Sequence, residues 1–156
     1  MRLWHKYLIG VLPQKQLLGQ WRECCLIAKN IAEKGTPNHL LVNKVMEYPI
    51  EHFLIYCDSV YEEMCFRGYK CDPNKIMQYA DALKFDLSKR YEISYLDIFE
   101  GWHNDRYLMQ CFYNLQEKYD CGGIDKKEWE TLEGRYVDLV CSTWEESYIR
   151  NEENDL

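Results

Sequence analysis

The sequence has no hydrophobic run that approaches the ~18–20 residues required to span a membrane. A signal peptide is not indicated either, because the opening Met1-Arg2-Leu3-Trp4-His5-Lys6 mixes charged and apolar residues. Walker and Gly-x-Gly-x-x-Gly loops, a Gly-x-Ser-x-Gly elbow and a His-Glu-x-x-His zinc motif are all absent. We therefore expect a cytoplasmic protein without a membrane segment, outside these nucleotide-binding, hydrolase and metalloprotease classes.

Cysteine is abundant, but its placement does not indicate a disulfide framework. The eight cysteines include the adjacent pair Cys24 and Cys25, and no two stand in a Cys-x-x-Cys pattern. Without an export signal they are predicted to be small buried hydrophobes rather than disulfides or zinc ligands. A partial calcium-loop pattern at residues 117–128 is rejected, because Tyr119 and Cys121 stand where oxygen ligands belong. No metal and no cofactor are therefore expected.

The distribution of charge differs from its total. The chain carries 26 acidic and 19 basic side chains, a net charge of −7, which argues against a nucleic-acid partner. Residues 1–46, however, hold seven basic and two acidic side chains. Residues 47–116 hold seven basic and twelve acidic side chains, and residues 117–156 hold five basic and twelve acidic ones. The first third is therefore basic. This asymmetry is either a chance fluctuation on a solvated surface or the mark of an anion-binding face.

Apolar residues recur at three-to-four spacing along most of the chain, which predicts an all-α, compact single-domain helical bundle. The domain is predicted to cover residues 1–150, followed by a frayed acidic tail at residues 151–156. Capping and stop residues predict six helices. The first three run from Pro13 to Gly35, from Asn38 to Met46 and from Ile50 to Arg67.

Three more helices are predicted from Asp72-Pro73 to Leu83, from Asn104 or Asp105 to Gly122-Gly123, and from a cap formed by Asp125 and Glu128 through Trp144. A short turn is predicted at Ser94–Gly101.

The predicted first helix carries a polar face opposite its apolar stripe. At about 100° per residue, Lys15, Arg22 and Lys29 form one basic line, and Glu23 lies beside it. Gly19, one turn before Glu23, leaves a notch at a cost of ~1 kcal/mol relative to alanine. Either a ligand or another part of the chain approaches this glycine closely, or the face is solvated and tolerates it.

Two stretches near the N-terminus resemble a known family. Met1-Arg2-Leu3-Trp4-His5 and the string Leu-Pro-Gln-Lys-Gln-Leu-Leu-Gly-Gln-Trp-Arg-Glu-Cys-Cys from Leu12 to Cys25 are similar to the opening of the pyrimidine-dimer DNA glycosylases, the phage-type endonuclease V enzymes and their bacterial relatives. The similarity is strong over residues 1–45, weaker through Phe53–Tyr69 and poor beyond Gly123. The resemblance implies an all-α fold in which the N-terminal segment threads between helices.

The resemblance also implies a reaction. Members of the family are glycosylase/AP lyases, in which the N-terminal α-amine attacks C1′ of a damaged nucleotide, expels the base and forms an imine, after which β-elimination cuts the strand. By motif position, Met1 would supply the amine, Glu23 would be the essential glutamate and Arg22 would help to hold DNA. An α-amine suits this task because its ordinary pKa, ~7.7–8.0, leaves more free base at neutral pH than a lysine. A nearby carboxylate stabilises the cationic imine and can accept the proton lost in elimination.

The expected partner is damaged double-stranded DNA, bound by a monomer. The expected DNA-binding residues are Arg2, Lys15, Arg22, Lys29 and His5, and the apolar residues Leu3, Trp4, Leu8, Ile9 and Leu12 are expected to anchor the chain start. The phage enzymes begin with threonine after methionine removal, but Arg2 is too large for the usual removal, so Met1 is expected to stay. The alternative that remains open is a non-catalytic helical module that binds protein or DNA.

Overall fold

The architecture is all-α, as the apolar periodicity predicted. The computed structural model describes residues 1–154, with the side chains of residues 1–142, and no β-strand occurs in that range. The α-helices are α1 (Gln14–Lys34), α2 (Ile50–Phe66), α3 (Asn74–Met77), α4 (Ala80–Leu83), α5 (Asp105–Asp120) and α6 (Lys126–Asn154). Short 3-10 helices cover Lys6–Val11, Asn43–Glu47, Lys89–Tyr91 and Tyr95–Asp97.

Helix α1 forms where the sequence predicted it. It begins directly after Pro13, whose missing N–H costs nothing at a helix start. It ends at Gly35, which adopts the left-handed conformation at φ 72° and donates its N–H to the Ile31 carbonyl at 2.9 Å. Its buried stripe faces α2 and comprises Leu17, Gln20, Trp21, Cys24, Ile27, Ala28 and Ile31. The opposite side of the helix is left for polar residues.

Helix α2 also matches its prediction and holds the chain start in place. Gly68 closes it at φ 75°, and the Arg67 guanidinium donates to the carbonyls of Leu12, at 2.7 Å, and Gly10, at 3.2 Å. Glu63, one turn earlier, pairs with Arg67 at 2.6 Å and orients it. The end of α2 is therefore fastened to the segment that leads into α1.

Helices α5 and α6 pair through aromatic side chains. Asn104 caps α5 by accepting from the Tyr107 N–H, and Asp125 caps α6 by accepting from the Glu128 N–H at 2.9 Å. Phe112 of α5 stacks on Tyr136 of α6 with ring centroids 3.8 Å apart. The Glu128 carboxylate does not return to its own helix start but accepts from the Gln14 N–H, so it caps α1 instead.

The N-terminal segment runs through the interior, which confirms the threaded arrangement. Leu3, Leu8, Ile9 and Leu12 are each at most 3% exposed, and Trp4 is 7% exposed. They belong to the same hydrophobic core as the buried faces of the helices. Because the segment lacks a regular helix before Lys6, its backbone groups need partners from other elements, and these partners define the site below.

Several sequence predictions were wrong in detail. Asn38 does not start a helix, because its φ of 58° lies in the left-handed region, and only Asn43–Glu47 is helical there, as a 3-10 helix. The helix predicted up to Leu83 is split into α3 and α4 at Gln78 and Tyr79. Cys24, Cys57 and Cys111 are buried as predicted, but Cys65, Cys121 and Cys141 are exposed. Helix α6 continues to Asn154, while residues 155–156 and the side chain of Trp144 lie outside the described residues, so the frayed tail at residues 151–156 stays a prediction.

Candidate active site

The amino terminus lies against the glutamate on α1. The Met1 nitrogen is 4.0 Å from Oε1 of Glu23, and the backbone N–H of Arg2 donates to Oε2 of the same carboxylate at 3.0 Å. Glu23 is therefore fixed by one oxygen and presents the other to the amine. The Glu23 side chain is 33% exposed, and that of Met1 is 14% exposed, so the pair is sheltered but reachable from solvent.

A buried glutamine holds the chain start in position. Gln20 of α1 accepts from the Trp4 N–H at 2.8 Å and donates to the Arg2 carbonyl at 3.1 Å. Tyr56 of α2 donates its hydroxyl to the Trp4 carbonyl at 2.7 Å and lies 3.1 Å from the Gln20 amide oxygen. Both side chains are at most 1% exposed. This Gln20 clamp, consisting of Gln20 and Tyr56, satisfies backbone groups on both sides of Leu3.

Sequence reasoning missed Gln20, although the sequence contained a signal. Gln20 lies three residues after Leu17 and four before Cys24, within the apolar stripe of α1. A polar residue on a buried stripe needs a hydrogen-bond partner, since an unpaired buried amide is costly. The partner itself, the backbone of residues 2–4, could not be identified without the tertiary structure.

Helix α5 and the loop before it provide the other wall of the chain start. The Tyr107 hydroxyl donates to the Leu3 carbonyl at 2.5 Å, and the Lys6 N–H donates to Nδ1 of His103 at 3.0 Å. Burial lowers the pKa of His103 well below its usual value, with the nearby His5 adding to the effect. A neutral His103 is what this contact requires, because a protonated ring could not accept from the Lys6 N–H.

His5 does not face solvent and is not in a position to contact DNA. It is 1% exposed, and its ring stacks on His103 with centroids 5.1 Å apart. Burial, assisted by the charge of Lys6, lowers the His5 pKa from 6.5 to about 4. Lys6 is equally occupied, because its ammonium donates to the carbonyls of Leu96 and Ile98. The expectation that His5 binds DNA is therefore corrected: these two residues fasten the N-terminal segment to the loop before α5.

The predicted basic line lies on the outside of α1. Lys15, Arg22 and Lys29 are exposed and spaced at about 10 Å, two turns apart. Lys29 lies 4.0 Å from Glu33, a pair in which both side chains are about half exposed and whose energetic contribution is small. Glu23 lies one residue beyond Arg22, so the amine–carboxylate pair and the basic line are neighbours on the helix surface.

Gly19 is open on its outer side. A side-chain β-carbon built at this glycine would meet no atom within 4 Å. The chain start therefore docks beside Glu23 without covering the notch, and no part of the described chain explains the glycine. A close approach by a ligand stays a prediction.

A second basic group lies next to the chain start. A cavity of about 650 Å³ is lined by Arg2, Lys44 and Arg106, together with Trp102 and Tyr107, and no carboxylate lines it. We call it the cationic cavity. The sequence contains both residues without assigning them a role: Lys44 belongs to the basic first third, and Arg106 lies in residues 47–116, which are acidic in sum.

A second cavity, larger than the cationic cavity, has a different character. Its volume is about 950 Å³, and its walls include the carboxylates Asp58, Glu62 and Glu63. Burial raises the pKa of Asp58 to about 6, although Arg90, 2.7 Å away, works against the rise. Arg90 and Arg135 also line this cavity, so its charges are mixed, and the cationic cavity, which no carboxylate lines, suits a phosphate better.

Two further kinds of site find no support in the described part of the chain. No three histidine, cysteine or acidic side chains are grouped there in a way that could hold a metal ion. Within residues 1–154, no helix combines the length and the apolar character that crossing a membrane requires.

Comparison with known proteins adds one match. Residues 1–77 match the model of a family described as pyrimidine dimer DNA glycosylase. No curated protein matches the chain, and no solved structure does. The matched range contains Met1, Glu23, Gln20 and the basic line, whereas Arg106 lies outside it. Residues 1–77, just under half of the 156 residues, are therefore similar to the pyrimidine dimer DNA glycosylases, a family of DNA-repair glycosylases.

Proposed function

We propose that this protein is a glycosylase/AP lyase that acts on damaged, pyrimidine-dimer-like or abasic double-stranded DNA through the α-amine of Met1. The observation that carries the proposal is the position of the Met1 nitrogen, 4.0 Å from the Glu23 carboxylate, while the next backbone N–H holds the other oxygen at 3.0 Å. A nucleophile and a carboxylate at this distance leave room for a sugar carbon beside both. The family match over residues 1–77 supports the glycosylase part of the proposal.

The proposed reaction uses the Met1 amine as the nucleophile and the Glu23 carboxylate as the base. The free amine of Met1 attacks C1′, the C1′–N bond to the base breaks, and its electron pair leaves with the base, which takes up a proton. The attacking nitrogen loses a proton, and the C1′–O4′ bond then breaks with its electron pair going to O4′, which takes up a proton and becomes a hydroxyl. The product is a cationic imine, which the Glu23 carboxylate stabilises. Glu23 then removes a proton from C2′, the C3′–O bond breaks, and the phosphate departs with that electron pair. Water hydrolyses the imine and frees the amine.

The DNA would lie across α1. Lys15, Arg22 and Lys29 contact phosphates along the helix, and Arg2 contacts the strand next to the amine. These contacts carry no sequence information, which suits an enzyme that recognises damage rather than sequence. With a net charge of −7 on the whole chain, non-specific affinity for DNA is weak and confined to this face.

The test is borohydride trapping of the imine. Protein with a free Met1 amine is incubated with borohydride and an abasic or ultraviolet-irradiated duplex, and a covalent protein–DNA adduct is expected. Glu23→Gln should bind the duplex but abolish turnover, because the amide still accepts from the Arg2 N–H but cannot remove a proton. Glu33→Gln is the matched control, since Glu33 lies on the same helix and pairs only weakly with Lys29.

An N-terminal extension distinguishes catalysis from a passive interaction. The extension converts the amine into an amide and should prevent trapping, whereas a non-catalytic module would tolerate it. If native protein with an authentic N-terminus forms no adduct with either substrate, the lyase proposal is refuted.

A further inference from the structure

The turn that precedes the 3-10 helix Asn43–Glu47 presents two leucines to solvent. Leu40 is 86% exposed and Leu41 is 50% exposed. A single exposed leucine would need no explanation, because apolar side chains are common on protein surfaces. Here two stand side by side at the tip of one turn, and both line the cationic cavity.

The turn is well fastened. The Val42 and Asn43 N–H groups both donate to the His39 carbonyl, at 3.0 and 2.9 Å, and Oδ1 of Asn43 accepts from the His39 N–H at 3.0 Å. Directly after the leucines, Val42 is fully buried in the core. Leu40 and Leu41 are therefore held outward by a closed turn rather than exposed by a loose one.

The surroundings of the leucines match a polyanion. Arg2, Lys44 and Arg106 line the same cavity, and no acidic side chain does. Arg2 is also the residue whose backbone N–H fixes Glu23. The apolar tip thus lines the same cavity as the residue that follows the proposed nucleophile, together with two further cations that suit phosphates.

We propose that Leu40, supported by Leu41, is a wedge that enters the base stack of duplex DNA beside the damaged nucleotide. This inference rests on the proposed function. Chemistry at C1′ inside a duplex requires local unstacking, and the gap that this creates is costly unless a side chain fills it. An apolar wedge between cations is a recurring solution, because the cations hold the two backbones while the wedge separates the bases. A wedge that is already ordered loses little entropy on insertion.

The experiment compares two leucine variants on two substrates. Leu40→Ala removes the wedge, and Leu96→Ala is the matched control, since Leu96 is 65% exposed but lines the other cavity. The rate of borohydride trapping is measured on an abasic duplex and on the same abasic strand without its complement. Leu40→Ala should trap the duplex about tenfold more slowly and the single strand at the wild-type rate, because only the duplex must be unstacked. Leu96→Ala should match the wild type on both.

A binding measurement checks the wedge without turnover. In the Glu23→Gln background, binding to a duplex with 2-aminopurine next to the abasic site should raise fluorescence as that base unstacks, and adding Leu40→Ala should remove most of the rise. Equal duplex trapping by Leu40→Ala and wild type, or equal slowing on both substrates, overturns the wedge alone. Failure of the wild type to trap either substrate overturns the proposed function as well, so the two failures are distinguishable.

Discussion

The Gln20 clamp makes a quantitative prediction. In Gln20→Met the side chain keeps its length but loses the bonds to the Trp4 N–H, at 2.8 Å, and to the Arg2 carbonyl, at 3.1 Å. The first bond is buried, so an unpaired N–H there costs about 1–3 kcal/mol. The second is partly buried and adds about 0.5–1.5 kcal/mol. We expect Gln20→Met to lower the free energy of unfolding by about 2–4 kcal/mol, out of a typical total of ~5–15 kcal/mol.

Two measurements separate this effect from a general loss of packing. Urea unfolding gives the free energy, and hydrogen exchange at the Trp4 amide reports on the clamp itself, because that N–H is exposed when the chain start undocks. Gln16→Met is the stability control, since Gln16 lies one turn away on the same helix and its buried amide oxygen has no protein partner in the described contacts. If Gln20→Met unfolds like wild type and the Trp4 amide stays protected, the clamp does not hold the segment and our reasoning is wrong.

Two further predictions concern acid stability and the helix notch. In Asp58→Asn, lowering the pH from 7 to 5 should reduce the free energy of unfolding, measured in urea, by at least about 2 kcal/mol. The pKa of His5 is lowered to about 4 and that of His103 well below its usual value, so the unfolded chain binds more protons than the folded one once the pH falls below 6.5. The variant is needed because the raised pKa of Asp58, about 6, stabilises the folded state on acidification and masks part of the loss, and an unchanged stability would contradict the burial of His5 and His103 as neutral rings. Gly19→Ala and Gly134→Ala should each raise the free energy of unfolding by up to ~1 kcal/mol, seen as a higher thermal midpoint, because neither added β-carbon meets an atom within 4 Å. Only Gly19→Ala should slow imine trapping, and equal activity of the two variants would mean that no ligand uses the notch.

The sequence was informative wherever structure is decided locally. The start of α1 after Pro13 and its end at Gly35 follow from the fixed φ of proline and the freedom of glycine at positive φ, and both were predicted. The cap at Asp125 was equally readable. The segment after Asn38 was not, because a short pattern of apolar residues does not show which of them is buried. There Val42 faces the core, whereas Leu40 faces solvent.

The site could be predicted only in part, for a related reason. Motif position pointed to Met1 and Glu23, which the fold brings to 4.0 Å, whereas closeness in sequence to the proposed nucleophile pointed to His5 as a DNA contact. The ring of His5 is buried by His103, 98 positions along the chain, and no local pattern encodes such a contact. The charge summed over residues 47–116 gave no indication of Arg106, because that sum is acidic. The fold nevertheless places this arginine in the same cavity as Arg2 and Lys44, and no acidic residue lines that cavity.

The buried residues that follow Met1 belong to the core and also hold the amine of the proposed reaction in place. An amine at the end of a free chain would have too many positions to stay near a carboxylate, since each unfixed residue carries about 1–2 kcal/mol of conformational entropy. Here Leu3 and Trp4 are buried, and Tyr107 and the Gln20 clamp bind the backbone from Arg2 to Trp4, so that entropy is already lost on folding. The proposed nucleophile is one residue beyond the last fixed carbonyl. Folding therefore fixes the amine beside Glu23 before any substrate binds.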